Sequence, residues 1–264
     1  MVVFVANCSK DGSASALDSW SYWLWRSSWG FFRKSKVEIV KNLAAKTWVS
    51  LVALTVVMGL LLFLPAGTLR YWQAWVYLGI FAGASGVTSV YLLRKDRALL
   101  QRRMRGGPTA EKETTQKIIM VFTSAGFIAL LVVPALDYRF EWSAAPLAVV
   151  IAGDLLVVIG FYFILLVYKE NTFSSATIEV AENQKVISTG PYALVRHPMY
   201  ASALLYLVGT PLALGSYWGL VALAFVMPFL IWRLMEEEKF LAKRLPGYVE
   251  YQKQVRHHLV PYVW

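Results

Sequence analysis

The sequence predicts an all-α, polytopic transmembrane helical bundle of about six helices, with five as the runner-up count. Three observations predict it. Hydrophobic residues make up 58% of the 264 positions and charged residues 16%, whereas a soluble domain carries about 25% charge. The apolar residues gather in runs that approach the roughly 20 residues needed to cross a bilayer. Lys and Arg fall in blocks between those runs, in an alternating pattern.

Taken in order, residues 1–19 are weakly polar and lack the sequence of regions that marks a signal peptide. Residues 20–34, WSYWLWRSSWGFFRK, are aromatic and basic, a composition that suits the headgroup layer. They are expected to lie at the interface. The first apolar run, 48–66, is closed by Pro65 and Gly67, which break the helical pattern. The second, 73–93, carries Ala, Gly and Ser residues that permit close helix approach, with Trp72 and Trp75 as anchors at its start. The third is 118–136. The fourth, 146–168, opens on Pro146, suited to a first helical turn. After a polar stretch, 199–213 and 218–234 are separated by Gly215, Ser216 and neighbours and read as a tight helical hairpin. The run 199–213 is short for a full span, so a tilted, kinked or partly re-entrant helix is expected there. The expected organisation is a tail over 1–45, four helices over 46–168 and a functional segment over 169–264.

Charge tests this layout. Seven Lys or Arg precede the first run, and the loop after it has only Arg70. The next loop holds Arg94, Lys95, Arg97, Arg102, Arg103, Arg105, Lys112 and Lys117, and the one after only Arg139. Lys169, Lys185 and Arg196 follow, then an uncharged turn, then a basic tail. The positive-inside rule puts both termini and both long polar loops in the cytoplasm, with the cell inner membrane as the expected location. The net charge of +10 is accounted for in this way, and no nucleic-acid partner is expected. The single cysteine, Cys8, allows no intrachain disulfide, and His197, His257 and His258 are too scattered to suggest a metal site.

Polar groups in membrane helices are costly and invite functional readings. Asp154 in the fourth run reads either as a cavity or cation-binding acid or as a hydrogen-bonded structural one. The segment 169–200 is richer. It has a Thr189–Gly190–Pro191 turn and then Arg196–His197–Pro198 directly before a helix. His197 and Tyr200 share a face if helical geometry starts early, and free backbone N–H groups lie at that entrance. A pocket for an anionic or zwitterionic small molecule is one reading; Arg196 on a lipid phosphate and His197 as a cap is the other. A second cluster, Arg233, Glu236, Glu237 and Glu238, ends the last apolar run. Arg233 and Glu237 at i and i+4 are expected to pair. Both clusters flank one hairpin and so meet at one membrane face. Tyr248, Tyr251 and Trp264 in the tail either close a pocket or anchor the interface.

These residues resemble a known pattern. The stretch GPYALVRHPMY over 190–200, Gly209, the R-x-x-x-E-E-x-x-L stretch from Arg233 to Leu241, and Gly247, Tyr248, Tyr251 and Pro261 look like the signature of the isoprenylcysteine carboxyl methyltransferase family. That family is related to the membrane phospholipid methyltransferases. The signature covers roughly 186–264, with a weaker likeness over 48–185 that includes GPTAEKETTQK. The resemblance implies a membrane enzyme that uses S-adenosyl-L-methionine and methylates a lipophilic acceptor, a carboxylate or a lipid amine, reached through the surrounding lipid. It implies a cytoplasmic cofactor pocket with Tyr192, Arg196, His197, Pro198 and Tyr200 in the cofactor-binding segment. It places Glu237 and Glu238 against the cofactor, Glu237 also in a catalytic role. Arg233 is implied to orient an acceptor carboxylate, and Tyr248 and Tyr251 to form a lid. No G-x-G-x-x-G fingerprint of a soluble dinucleotide fold is present.

Two alternatives belong to other classes. Steroid 5-alpha-reductase-like proteins resemble the same C-terminal helices and use NADPH, although the GPY…RHP and paired-Glu pattern leans away from them. A non-enzymatic membrane protein with a degenerate pocket is the other.

Overall fold

The computed structural model describes the backbone of residues 17–264 apart from 108, 112, 181–182 and 262, and side chains from residue 42 onward with the same exceptions. The reading of residues 1–16, Cys8 included, lies outside the described residues, as does the interfacial reading of the 20–34 side chains. The helices in chain order are α1 (Leu17–Ala66), α2 (Trp72–Lys95), α3 (Arg97–Met104), α4 (Thr114–Phe140), α5 (Leu147–Glu170), α6 (Pro198–Ala213), α7 (Trp218–Arg244) and α8 (Tyr248–Gln254). A 3-10 turn at Gly190–Ala193 precedes α6. The chain divides into two compact units, Met1–Lys46 and Thr47–Trp264. In the first, the backbone of α1 is helical from Leu17. The second carries the bundle.

The fold is an all-α, multi-pass membrane bundle. Five helices, the runner-up count, are long and apolar enough to cross by length and composition: Asn42–Ala66 within α1, then α2, α4, α5 and α7. The sixth, α6, has 16 residues. At about 1.5 Å per residue it measures roughly 24 Å, short of a hydrocarbon layer of about 30 Å. Surface polarity follows a lipid solvent. Val52, Leu64, Val121, Leu155 and Phe225 are exposed along the spans, as lipid-facing residues should be.

Two polar clusters define the ends of this bundle. At one end Asp137 near the close of α4 accepts from the Ser143 backbone N–H at 2.7 Å and the Ser143 hydroxyl at 2.6 Å, and also from Ser216 in the turn before α7. Tyr71, just before α2, donates to the Leu214 carbonyl at 2.5 Å. Trp72, Trp75, Trp142 and Trp218 are exposed at this end, which is where an aromatic belt belongs. At the other end Gln116 in the first turn of α4 accepts from Arg233 in α7 at 3.1 Å. Short as it is, α6 therefore connects the two ends. The basic loop Arg94–Lys117 and the polar segment 171–197 gather at the second end, and Arg70 and Arg139 lie at the first.

Close approach makes the α5–α6 pair the tightest in the bundle. A Cβ on Gly153 would meet the Ala213 backbone nitrogen at 2.2 Å, and one on Gly209 would meet the Gly153 carbonyl at 2.8 Å. Only glycine lets those backbones touch, the usual function of small residues between membrane helices. Pro146 takes the N-cap of α5, one position before the expected first turn. The core around Met58, Leu62, Tyr71, Tyr77, Leu131 and Val157 fills the space between these helices.

Candidate functional site

The segment between α5 and α6 is shaped by local chemistry. Gly190 has φ +56°, a left-handed conformation that glycine adopts without steric cost. A Cβ there would also come within 2.9 Å of the Glu170 carboxylate. The chain then enters the 3-10 turn, which carries Tyr192. The Tyr192 hydroxyl accepts from Asn171 at 2.8 Å, and its carbonyl accepts from the Tyr251 hydroxyl at 2.7 Å. His197 occupies the N-cap position of α6 and Pro198 its first turn. The His197 ring does not cap the helix; it turns toward α7.

There it meets Glu238, the hub of a closed polar network. Glu238 accepts from Arg196 Nε at 2.7 Å and from His197 Nε2 at 2.9 Å, and His258 Nε2 lies 3.4 Å away. Arg196 also donates to the Val255 carbonyl at 3.3 Å and to His258 Nε2. The backbone N–H groups of Arg196 and His197 donate to the carbonyls of His257 and His258 at 2.9 and 3.0 Å. Both side chains of the Arg196–Glu238 pair are 9% exposed. One carboxylate thus joins the α6 entrance, α7 and the tail. Removing one member of such a buried pair costs about 3–5 kcal/mol because its partner is left charged and alone.

Helix α7 runs unbroken through its three acids to Arg244, so Glu237 and Glu238 point in different directions. The expected Arg233–Glu237 pair gives way to another arrangement. Arg233 donates to Glu111 at 2.7 Å, to Gln116 at 3.1 Å and to the Ala176 carbonyl at 3.1 Å. Glu237 instead accepts from the Tyr200 hydroxyl at 2.7 Å. The i,i+4 spacing is satisfied, but a carboxylate from the α3–α4 loop competes for the guanidinium and holds it.

Between these groups lies a cavity of about 510 Å³, within the range of small-molecule sites. Tyr192, Arg196, His197, Pro198, Tyr200, Arg233, Glu237, Tyr248 and Tyr251 all line it. Glu238 does not: its carboxylate is occupied by Arg196 and His197 behind the wall. The polar end is roofed by residues of the 171–187 segment. The other end descends into the bundle, with Met120, Thr123, Ile164, Tyr206 and Leu230 around it. Arg103, Asn171 and His258 carried no motif, and Glu111 and Gln116 lay in the GPTAEKETTQK stretch without an assigned role.

The electrostatics favour neutral tyrosines. Burial pushes the Tyr192 hydroxyl up to about 12, opposed by the Asn171 hydrogen bond. Burial likewise raises Tyr248 and Tyr251 above the ordinary tyrosine range. Burial lowers His258, against the pull of the Glu238 carboxylate. The Tyr248 hydroxyl is buried and has no hydrogen-bond partner among the described residues, although buried polar groups are nearly always hydrogen-bonded. It borders the cavity, so a ligand there can complete it. The donor set suits a small zwitterion: Arg and tyrosine hydroxyls suit a carboxylate, and Glu237 and aromatic faces suit a cationic centre.

Comparison with known proteins bears on the same region. No curated protein matches the chain. The family model described as phospholipid methyltransferase matches residues 148–246, from the start of α5 through the 3-10 turn and α6 to just past the end of α7, which links the chain to that methyltransferase superfamily.

Proposed function

We propose that this protein is an S-adenosyl-L-methionine-dependent methyltransferase of the isoprenylcysteine carboxyl methyltransferase kind, acting on a lipophilic acceptor. The observation that carries the reading is the shape of the cavity. One end is polar and bordered by Arg233, Glu237 and the unpartnered Tyr248 hydroxyl; the other is apolar and enclosed by α4, α5, α6 and α7. A water-soluble donor and a lipid-borne acceptor suit the two ends. The positive-inside pattern supports a polar end that faces the cytoplasm, with both termini on that side.

When bound, the cofactor supplies a methyl group made electrophilic by its sulfonium. Displacement at such a carbon needs alignment and charge management more than covalent help, and the chain's residues are suited to both. Arg196 and His197, braced by Glu238, set the cofactor-binding wall with Tyr192, Pro198 and Tyr200. Tyr248 and Tyr251 form its lid. Glu237 offers a carboxylate to positive charge and a proton acceptor for an amine. Arg233 orients the head of the acceptor, holding an acceptor carboxylate with the guanidinium N–H groups that Glu111, Gln116 and Ala176 leave.

The test is methyl transfer from labelled S-adenosyl-L-methionine into a total lipid extract by the purified protein, with mass analysis of the product. A labelled lipid is expected, together with saturable cofactor binding that weakens at least about tenfold in His197→Ala. Binding of NADPH in place of S-adenosyl-L-methionine would move the protein to the reductase class. Binding of neither, with no labelled product, would leave a non-enzymatic membrane protein.

A further inference from the structure

Three guanidinium groups border the cavity, and two of them have their own carboxylate: Arg196 has Glu238, and Arg233 has Glu111. Glu237 differs. Its hydrogen-bond partner is a tyrosine hydroxyl, Tyr200, and it has no ion-pair contact within 4.0 Å among the described residues. Arg103, Glu179 and Lys185 also border the cavity. Arg103 lies against the Ser175 carbonyl and the Tyr168 ring, Glu179 accepts from Ser175, and Lys185 is exposed.

Glu111 is a costly residue to place here. It is only 4% exposed, and a buried carboxylate is stable only when paired. It projects from the loop between α3 and α4. Besides Arg233 at 2.7 Å it reaches the Ile178 backbone N–H at 3.4 Å, and Arg233 in turn holds the Ala176 carbonyl at 3.1 Å. A pair that only fastened the roof would need no charge, because a glutamine and a neutral donor could make the same contacts. The charge has an electrostatic result. It balances the Arg233 cation before any ligand arrives, so that Arg233 offsets the Glu237 carboxylate, one helical turn away, less than a lone guanidinium would.

We infer that Glu111 is a positioning residue that sets the charge balance of the cavity: by neutralising Arg233 it lets Glu237 favour a cationic ligand centre over its neutral counterpart. This rests on the methyltransferase reading, in which the donor carries a sulfonium before transfer and a neutral thioether after it. The same balance would hold the reactant more tightly than the product and help the spent cofactor to leave.

The experiment measures binding of S-adenosyl-L-methionine and of S-adenosyl-L-homocysteine, without turnover, to the full-length protein in lipid nanodiscs. The two probes share their carboxylate, ammonium and nucleoside and differ by one methyl and one charge at sulfur. A purely structural role for Glu111 would weaken both together. Charge-setting predicts that Glu111→Gln lowers the ratio of sulfonium to thioether affinity by roughly three- to tenfold, the scale of one unit charge at several ångströms in a partly polar site. Arg233→Gln should raise the ratio by a similar factor. The double variant, in which both charges are gone, should return it to within about twofold of the wild type, and Glu111→Asp should leave it unchanged. An unchanged ratio in both single variants overturns the inference. If Glu111→Gln does not fold, Arg233→Gln alone decides: a raised ratio supports it and an unmoved ratio refutes it. Failure of the wild type to bind either probe would refute the methyltransferase reading itself, and the inference with it.

Discussion

The two ends of the bundle solve the same problem in opposite ways. Each buries a carboxylate that pure packing would exclude. At the first end Asp137, 1% exposed, is engaged by Ser143 and Ser216. Both of its carboxylate oxygens already accept hydrogen bonds. At the second end Glu238 is equally engaged, but beside it Glu237 and the Tyr248 hydroxyl border a cavity of about 510 Å³. Burial of a charged group in a membrane protein therefore does not by itself mark a site. What marks the site is polar capacity that the fold has left unused, next to space in which to use it.

The largest effect should separate these ends by activity. Glu237→Gln keeps the volume and the hydrogen bond with Tyr200 within reach but removes the charge. Methyl transfer should fall at least about a hundredfold, while the thermal unfolding midpoint stays close to that of the wild type, as expected of a half-exposed cavity residue. The reverse pattern is expected next in size. Asp137→Ala leaves the hydroxyls of Ser143 and Ser216 without their acceptor, a loss of about 2–4 kcal/mol, and cofactor affinity of the protein that remains folded should be unchanged. If Asp137→Ala abolished binding with normal stability, the division between a structural end and a functional end would be wrong.

The same contrast explains what could be read from the sequence. The spans were legible because lipid imposes a length and a composition on each helix. Alternating basic loops sorted those helices end for end, and the structure keeps that sorting. The short α6 was recognised as short, and a run of fifteen residues does not by itself state whether a helix reaches both interfaces. The position of nine of the residues now found around the cavity followed from motif resemblance. The partners of those residues did not. Helical spacing pairs Arg233 with Glu237, and no periodicity in α7 can reveal that Glu111, 122 positions earlier, takes that guanidinium. Glu238 shows the related limit. Adjacent acids in one motif look equivalent, yet a rotation of about 100° per helical residue sends one into the cavity and the other into the wall. Asp154 remains half-buried in α5, with one carboxylate oxygen buried and unpartnered.

The smallest effect tests how the tail is fastened to the functional end. Arg196 cannot accept a hydrogen bond, so the His258 Nε2 that it meets must be the unprotonated nitrogen of a neutral ring. Three charged or titratable groups face that ring: Arg196 and His197, which disfavour its protonation, and Glu238, which favours it. Burial is the largest influence, and the outcome is a His258 held below the usual histidine range. The unfolded tail takes up a proton near the ordinary value of about 6.5, whereas the folded one resists it. Just below that pH the unfolded state binds more protons, so stability rises with pH. The His258 contribution is complete above about pH 6.5 and is lost as the pH falls through the lower folded value. On lowering the pH from about 7.5 to about 5.5 the wild type should lose thermal stability, and faster amide exchange over residues 255–261 should accompany the loss. His258→Gln keeps an acceptor for Arg196 but cannot titrate, so its stability should fall less over the same interval. Equal slopes in the two proteins would mean that His258 is not what makes the tail's attachment sensitive to pH. The Glu238 network would then hold the tail through Arg196 and the backbone pairing of residues 196–197 with 257–258 alone.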